Sequence, residues 1–309
     1  MEQESLIYVA GHTGLVGSAI VRILKKKGFN NIITRTHSEL ELLNSVSVQN
    51  FFYEIKPEYV FLAAAKVGGI HANKNFSADF IRENLIVQTN VIHEAWRSGV
   101  KKLMFLGSSC IYPKFCPQPI REEYLLSGKL EPTNDAYAIA KIAGIKTCQS
   151  YNEQFGTKFI SIMPSNLYGI HDNFHLENSH VLPALLRKFH EAKIDNLKSV
   201  NIWGNGETRR EFLFSDDLAE GVLFLMQNYD KNEIINIGYG HDVTILELAK
   251  TIKQVVDYSG DLEFDNSRPN GTPQKLLDIS RIKSLGWNPK ISLANGIDKV
   301  YQWYIKQEC

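Results

Sequence analysis

A chain of 309 residues exceeds the usual span of one domain, about 100–200 residues, and points to one large domain or two unequal ones. Its 34 Lys and Arg balance its 34 Asp and Glu, so no net field recruits nucleic acid or an anionic membrane surface, and a phosphate-bearing ligand needs a local basic pocket. Cys110, Cys116, Cys148 and Cys309 show neither a CxxC pair nor a Cys/His ligand spacing, so free thiols and no metal site are expected. No apolar run approaches the roughly 18 residues that span a bilayer, and no charged-then-apolar segment opens the chain, which predicts a cytoplasmic location.

Short apolar runs alternate with amphipathic stretches through the first half. Strands are predicted at 6–10, 32–34, 59–63, 102–106 and 158–163, and helices at 15–27, 78–97 and 137–155. That alternation means βαβ units and a doubly wound parallel sheet of the Rossmann type, with a ligand crevice at the carboxyl ends of the strands. After Asn166 the rhythm changes to His- and Asn-rich loops, a helix over 180–192 and a strand over 200–203. The stretches 218–227 and 234–238 read as a helix and strand that rejoin the sheet, and 244–256, 278–285 and 297–305 read as helices. The predicted division is a Rossmann domain over 1–166, with about 215–240 returning to it, and a smaller α/β lobe from about 167–214 and 241–309 that covers the crevice.

Directly after the first strand come Gly11, His12, Thr13, Gly14, Leu15, Val16 and Gly17, a GxxGxxG loop that opens the first helix. Glycines there permit a tight turn and close backbone approach to a pyrophosphate, which the helix N-terminus attracts. The second strand ends at Thr34 and Arg35 without the acid that grips a ribose 2′-hydroxyl, whereas Arg35 and His37 can meet a 2′-phosphate. NADP(H) is therefore the expected cofactor. Further on, Tyr137 and Lys141 stand at i and i+4, on one helical face. A lysine beside a tyrosine is expected to lower the phenol's pKa and make it an acid near neutrality. The fourth strand runs into Gly107 and Ser108, placing a hydroxyl at its carboxyl end. A Ser/Tyr/Lys set can hydrogen-bond and protonate a carbonyl oxygen while hydride reaches the carbon.

This set resembles the extended short-chain dehydrogenase/reductases. The runs 63–69, 107–113, 131–134, 137–141, 166–169, 171–174, 178–181, 203–204, 210–213 and 271–278 together resemble, within that group, the GDP-L-fucose synthases, over nearly the whole chain. The resemblance implies NADPH-dependent 3,5-epimerisation and 4-keto reduction of GDP-4-keto-6-deoxy-D-mannose by a homodimer joined through the helices at 78–97 and 137–155. It assigns Cys110 as the base and His180 as the acid of epimerisation. Read alone, Cys110 fits a small buried hydrophobe and His180 a structural hydrogen-bonder; the surrounding motifs favour catalysis. Ala63, Ala64, Leu106, Gly107, Pro164, Asn166, Leu167 and His180 join the glycine loop, Arg35, His37, Ser108, Tyr137 and Lys141 as implied cofactor contacts. Ser108, Cys110, Asn166, Trp203, Arg210 and Asp278 are implied substrate contacts, with Lys188 where the family usually has arginine. Thr13 and His37 likewise stand where arginine is common.

The nearest rival is an epimerase/reductase or simple 4-reductase for another GDP-4-keto-6-deoxy sugar such as a heptose, and retention of Cys110 and His180 argues against pure reduction. A catalytically silent NADP-binding regulator would lack Tyr137, Lys141 or Ser108, and all three are present. An RNA-binding or scaffold role finds no support in the balanced charge or in any aromatic-basic motif.

Overall fold

The computed structural model describes residues 1–176, 179–267 and 272–307, apart from the side chains of Ile70 and His71. Asn178, Gly271 and Cys309, named above, lie outside the described residues. The first half runs β1 (Ile7–Ala10), α1 (Leu15–Lys26), β2 (Ile32–Ile33), α2 (Ser45–Ile55), β3 (Tyr59–Leu62), α3 (Ile70–Asn75), α4 (Ser77–Arg97), β4 (Lys102–Leu106), α5 (Asp135–Phe155) and β5 (Phe159–Pro164). There follow β6 (Asn166–Tyr168), α6 (Val181–Ile194), β7 (Ser199–Trp203), β8 (Arg209–Phe214), α7 (Ser215–Asn228) and β9 (Ile235–Ile237). The chain ends with β10 (Asp242–Thr244), α8 (Ile245–Val256), β11 (Asp261–Asp265), β12 (Gln274–Lys275), α9 (Ser280–Ser284) and α10 (Leu293–Gln307). Among the described residues no helix is long and apolar enough to cross a membrane, and no cluster of three or more His, Cys, Asp or Glu can hold a metal ion.

Six parallel strands form the main sheet in the order β2-β1-β3-β4-β5-β9. β1 and β4 are buried along their whole length, as apolar runs between two layers of helices must be. Strand order reverses between β1 and β3, where Ala10 pairs with Leu62, and this switch point opens the crevice. A second sheet, β10-β8-β12 with β6 also on β8, covers it, and β7 pairs with β11 outside. Two apolar cores result. One lies under the main sheet; the other gathers Leu185, Phe189, Phe214, Leu248 and Val300 in the smaller lobe. Leu277, Ile279, Ile282 and Trp287, expected with the second lobe, pack into the first core.

Several elements differ from expectation. α2 mixes serine, valine and aromatic residues that weaken a helical pattern; Asn44 caps it by accepting from Ser47 N at 3.1 Å, and Phe51 and Phe52 pack on the Tyr8 ring. β8 and β11 were not predicted, and β11 carries acids at both ends and along its exposed face. The helix expected over 278–285 begins only at Ser280, after a turn in which Asp278 accepts from Ser280 N at 2.8 Å.

Candidate active site

The three glycines of the first loop answer to different constraints. Gly11 has φ +80°, and a Cβ there would lie 2.7 Å from Ala64 N at the end of β3. A Cβ on Gly17 would meet Gly11 O at 2.1 Å. Gly14 differs: its nearest protein neighbour would be Gly11 O at 3.6 Å, so no protein packing requires glycine there. Gly14 offers no side chain to cap α1, whose first turn holds no acid, leaving its leading N–H groups facing the crevice. An open position of this kind fits a pyrophosphate seated on backbone.

At the end of β2, Arg35 donates to Thr34 O at 2.9 Å and its guanidinium lies 5.7 Å from the Phe51 ring centroid. His37 turns outward to Glu41, 3.1 Å away. Glu39 escaped the sequence reading because the acid sought there was expected at the strand end. It folds back on Thr36, accepting from its N at 2.7 Å and Oγ1 at 2.8 Å. Those bonds, with the charges of Arg35 and His12, hold its carboxyl below the ordinary range.

The shape of α5 places the next group. Gly144 lets the helix press on Phe105, since a Cβ would come within 2.3 Å of that ring. Lys141, buried at the carboxyl end of β4, donates to Leu106 O at 2.8 Å, and burial brings its pKa down to about 8. Its Nζ lies 5.8 Å from the Tyr137 ring centroid. The expected lowering of the phenol does not occur: burial pushes Tyr137 up, the charge of Cys110 adds to it, and a hydrogen bond with Ser108 opposes it only in part. Desolvation outweighs a lysine whose ammonium is directed at a backbone carbonyl, so Tyr137 stands protonated.

Ser108 caps a short 3₁₀ turn by accepting from Cys110 N at 3.2 Å. Burial alone would raise the Cys110 thiol, but the charge of Lys275, with hydrogen bonds from Ser108, Lys275 and Asn134, outweighs it and leaves the pKa below the ordinary thiol value. Lys275 Nζ reaches Cys110 Sγ at 3.3 Å across 165 residues of sequence. His180, the residue before α6, keeps an exposed surface, yet burial of its ring among its neighbours and then the Lys275 charge depress its imidazole. A cleft opens beside Cys110, with Asn134, Gln274 and Lys275 in its wall.

The expected substrate contacts divide into separate groups. Lys188 lies 5.0 Å from the Trp203 ring centroid and donates to Asn201 O at 3.1 Å, on the rim of the smaller lobe. Arg210 is the register partner of Lys275, and burial lowers its pKa while the charge of Cys110 opposes that fall. Asn166 donates to Glu211 O at 2.9 Å, tying β6 to β8. Asp278 is already occupied by α9 and lies 3.6 Å from Arg121 Nε. Pro164 ends β5, and Leu167 is the middle residue of β6.

The model of the NAD dependent epimerase/dehydratase family matches residues 7–238. The chain is 58% identical to GDP-L-fucose synthase 1 of Arabidopsis thaliana over 308 residues, covering 100% of this chain and 95% of that protein. It is 51% identical to the GDP-L-fucose synthase of Escherichia coli over 311 residues, covering 98% and 97%. Among solved structures it is similar to the Campylobacter jejuni GDP-mannoheptose C4 reductase with NADP bound, at TM-score 0.91 and 47% identity, covering 99% of each chain.

Proposed function

The chain belongs to the NAD dependent epimerase/dehydratase family, and from that premise we propose that it converts GDP-4-keto-6-deoxy-D-mannose to GDP-L-fucose by 3,5-epimerisation and 4-keto reduction. The observation that carries this reading is that Ser108, whose Oγ accepts from Cys110 N at 3.2 Å, stands beside both Tyr137 and a Cys110 sulfur that Lys275 Nζ approaches at 3.3 Å. A base for an acidified C–H and an acid for the ketone oxygen are thereby gathered around a single carbonyl-sized position. The cofactor is NADP(H). The 11–17 loop would hold its pyrophosphate and Arg35 its 2′-phosphate, and when bound it supplies the hydride for C4.

The residues of the chain do the rest. Cys110 thiolate takes the proton from the carbon beside the ketone, an S–H bond forming as the C–H bond breaks. The electron pair moves onto the ketone oxygen, where Ser108 and Tyr137 donate hydrogen bonds. His180 delivers a proton to the opposite face, inverting the carbon with no change in oxidation state. In the reduction Tyr137 gives its proton to the C4 oxygen, with Lys141 holding the end of β4 in place. Arg210 and Lys188 neutralise the diphosphate, Trp203 lies against the nucleotide, and Asp278 accepts from its hydroxyl or amino groups. The enzyme works in the cytoplasm as a homodimer joined through α4 and α5. A GDP-4-keto heptose is the second reading, favoured by the likeness to the Campylobacter reductase; the greater identity to the two GDP-L-fucose synthases places it second.

The test offers purified protein NADPH and either sugar in D₂O, following deuterium at C3 and C5 by NMR and NADPH by absorbance. Tyr137→Phe is expected to keep exchanging deuterium while NADPH oxidation falls about 10²–10⁴-fold. Cys110→Ser is expected to lose deuterium uptake and still bind NADPH. Reduction by the native protein with no uptake at either carbon makes it a 4-reductase and overturns the assignment.

A further inference from the structure

Cys110 needs more than proximity to act as a base, because a buried thiol at neutral pH is mostly protonated. The groups that face it come from four segments. Ser108 belongs to its own turn, Asn134 and Tyr137 to the start of α5, Arg210 to β8, and Lys275 to β12. Of the two cations, Arg210 donates through Nη1 to Arg209 O at 2.7 Å, whereas Lys275 is directed at the sulfur itself. Lys114 and Glu131 on the same cleft wall form their own ion pair at 2.8 Å and largely cancel. The charge of Lys275 also reaches His180, the acid of the other face.

We propose that Lys275 is the positioning charge of the epimerisation: its ammonium, 3.3 Å from the sulfur, holds Cys110 as thiolate. The proposal rests on the reading of Cys110 as the base. A strand two residues long delivers this lysine, and register pairing of Gln274 with Arg209 and Lys275 with Arg210 fixes the side on which it emerges. Its removal leaves the sulfur with no cation directed at it, and thiolate becomes harder to form.

The test reads Cys110 directly. The full-length protein is alkylated with iodoacetamide across a pH series, and modification of the Cys110 peptide is followed by mass spectrometry, which separates it from the other cysteines. Lys275→Met is expected to move the alkylation profile to higher pH and slow modification at pH 7 at least about tenfold. Lys275→Arg is expected to restore the native profile. Deuterium exchange should show the same signature, the acid limb of its pH profile moving to higher pH in Lys275→Met. Retained NADPH binding reports that the variant is folded, and Lys275→Gln replaces Lys275→Met if it is not. An alkylation profile that does not move, or exchange that falls equally at every pH, overturns the proposal. A Cys110→Ser protein that exchanges at the native rate overturns instead the base assignment on which it rests.

Discussion

Alanine at Gly14 separates a glycine kept for a ligand from glycines kept for packing. The backbone there is extended, with φ −79° and ψ 173°, and a methyl group would find its nearest protein atom at an ordinary 3.6 Å. The empty protein should therefore lose only the difference between glycine and alanine at a helix N-cap, below about 1 kcal/mol. For a chain of this length that corresponds to a fall in melting temperature of about 2 °C or less. Gly17→Ala is the contrast: its methyl would lie 2.1 Å from Gly11 O, a backbone atom in a loop itself pressed on Ala64, and cannot be relieved by a rotamer change. Overpacking of that kind costs about 1–3 kcal/mol or more. The methyl of Gly14→Ala stands where the pyrophosphate needs bare backbone, so NADPH affinity should fall at least about tenfold, or 1.4 kcal/mol. Thermal unfolding without cofactor and a fluorescence titration with NADPH check both halves. Native affinity in Gly14→Ala, or a melting loss equal to that of Gly17→Ala, refutes the reasoning.

Arg35→Asp should narrow or reverse the preference for NADPH over NADH, measured as the ratio of kcat/KM for the two cofactors; equal kinetics in the native enzyme would sink the assignment of Arg35 to the phosphate. Lys141→Met tests the buried ammonium through stability. A folded pKa of about 8, against 10.5 for the free side chain, means that the native contribution is fully present above pH 10.5 and lost as pH falls through about 8. At about 1.36 kcal/mol for each tenfold in proton affinity, the native enzyme should gain about 3 kcal/mol on Lys141→Met between those limits, read from denaturant unfolding at each pH. Parallel curves for the two proteins would show that burial of Lys141 is not a strain.

Local patterns were the legible part of the sequence. The loop after β1 and the spacing of Tyr137 and Lys141 each lie within seven residues, and a single turn of backbone fixes their geometry. Cys110 and His180 carried no local signal and were identified by resemblance alone. Lys275 was missed because its partner lies 165 residues away and its strand is too short to show a period. Glu39 was missed because a turn at Thr36, not a strand end, brings it back. The behaviour of Tyr137 was misread for a related reason: helical spacing gives the direction of two side chains but not the water they lose on burial.

Only one residue separates Lys275 from Leu277, which is anchored in the core beneath the main sheet together with Ile279, Ile282 and Trp287. Two steps of extended chain reach at most about 7 Å. Lys275 is thus tethered to the half of the molecule that carries Cys110, although its strand belongs to the covering sheet. The cation at the sulfur is therefore held from both sides, its backbone paired with β8 of the covering sheet and its neighbour Leu277 fixed under the main sheet.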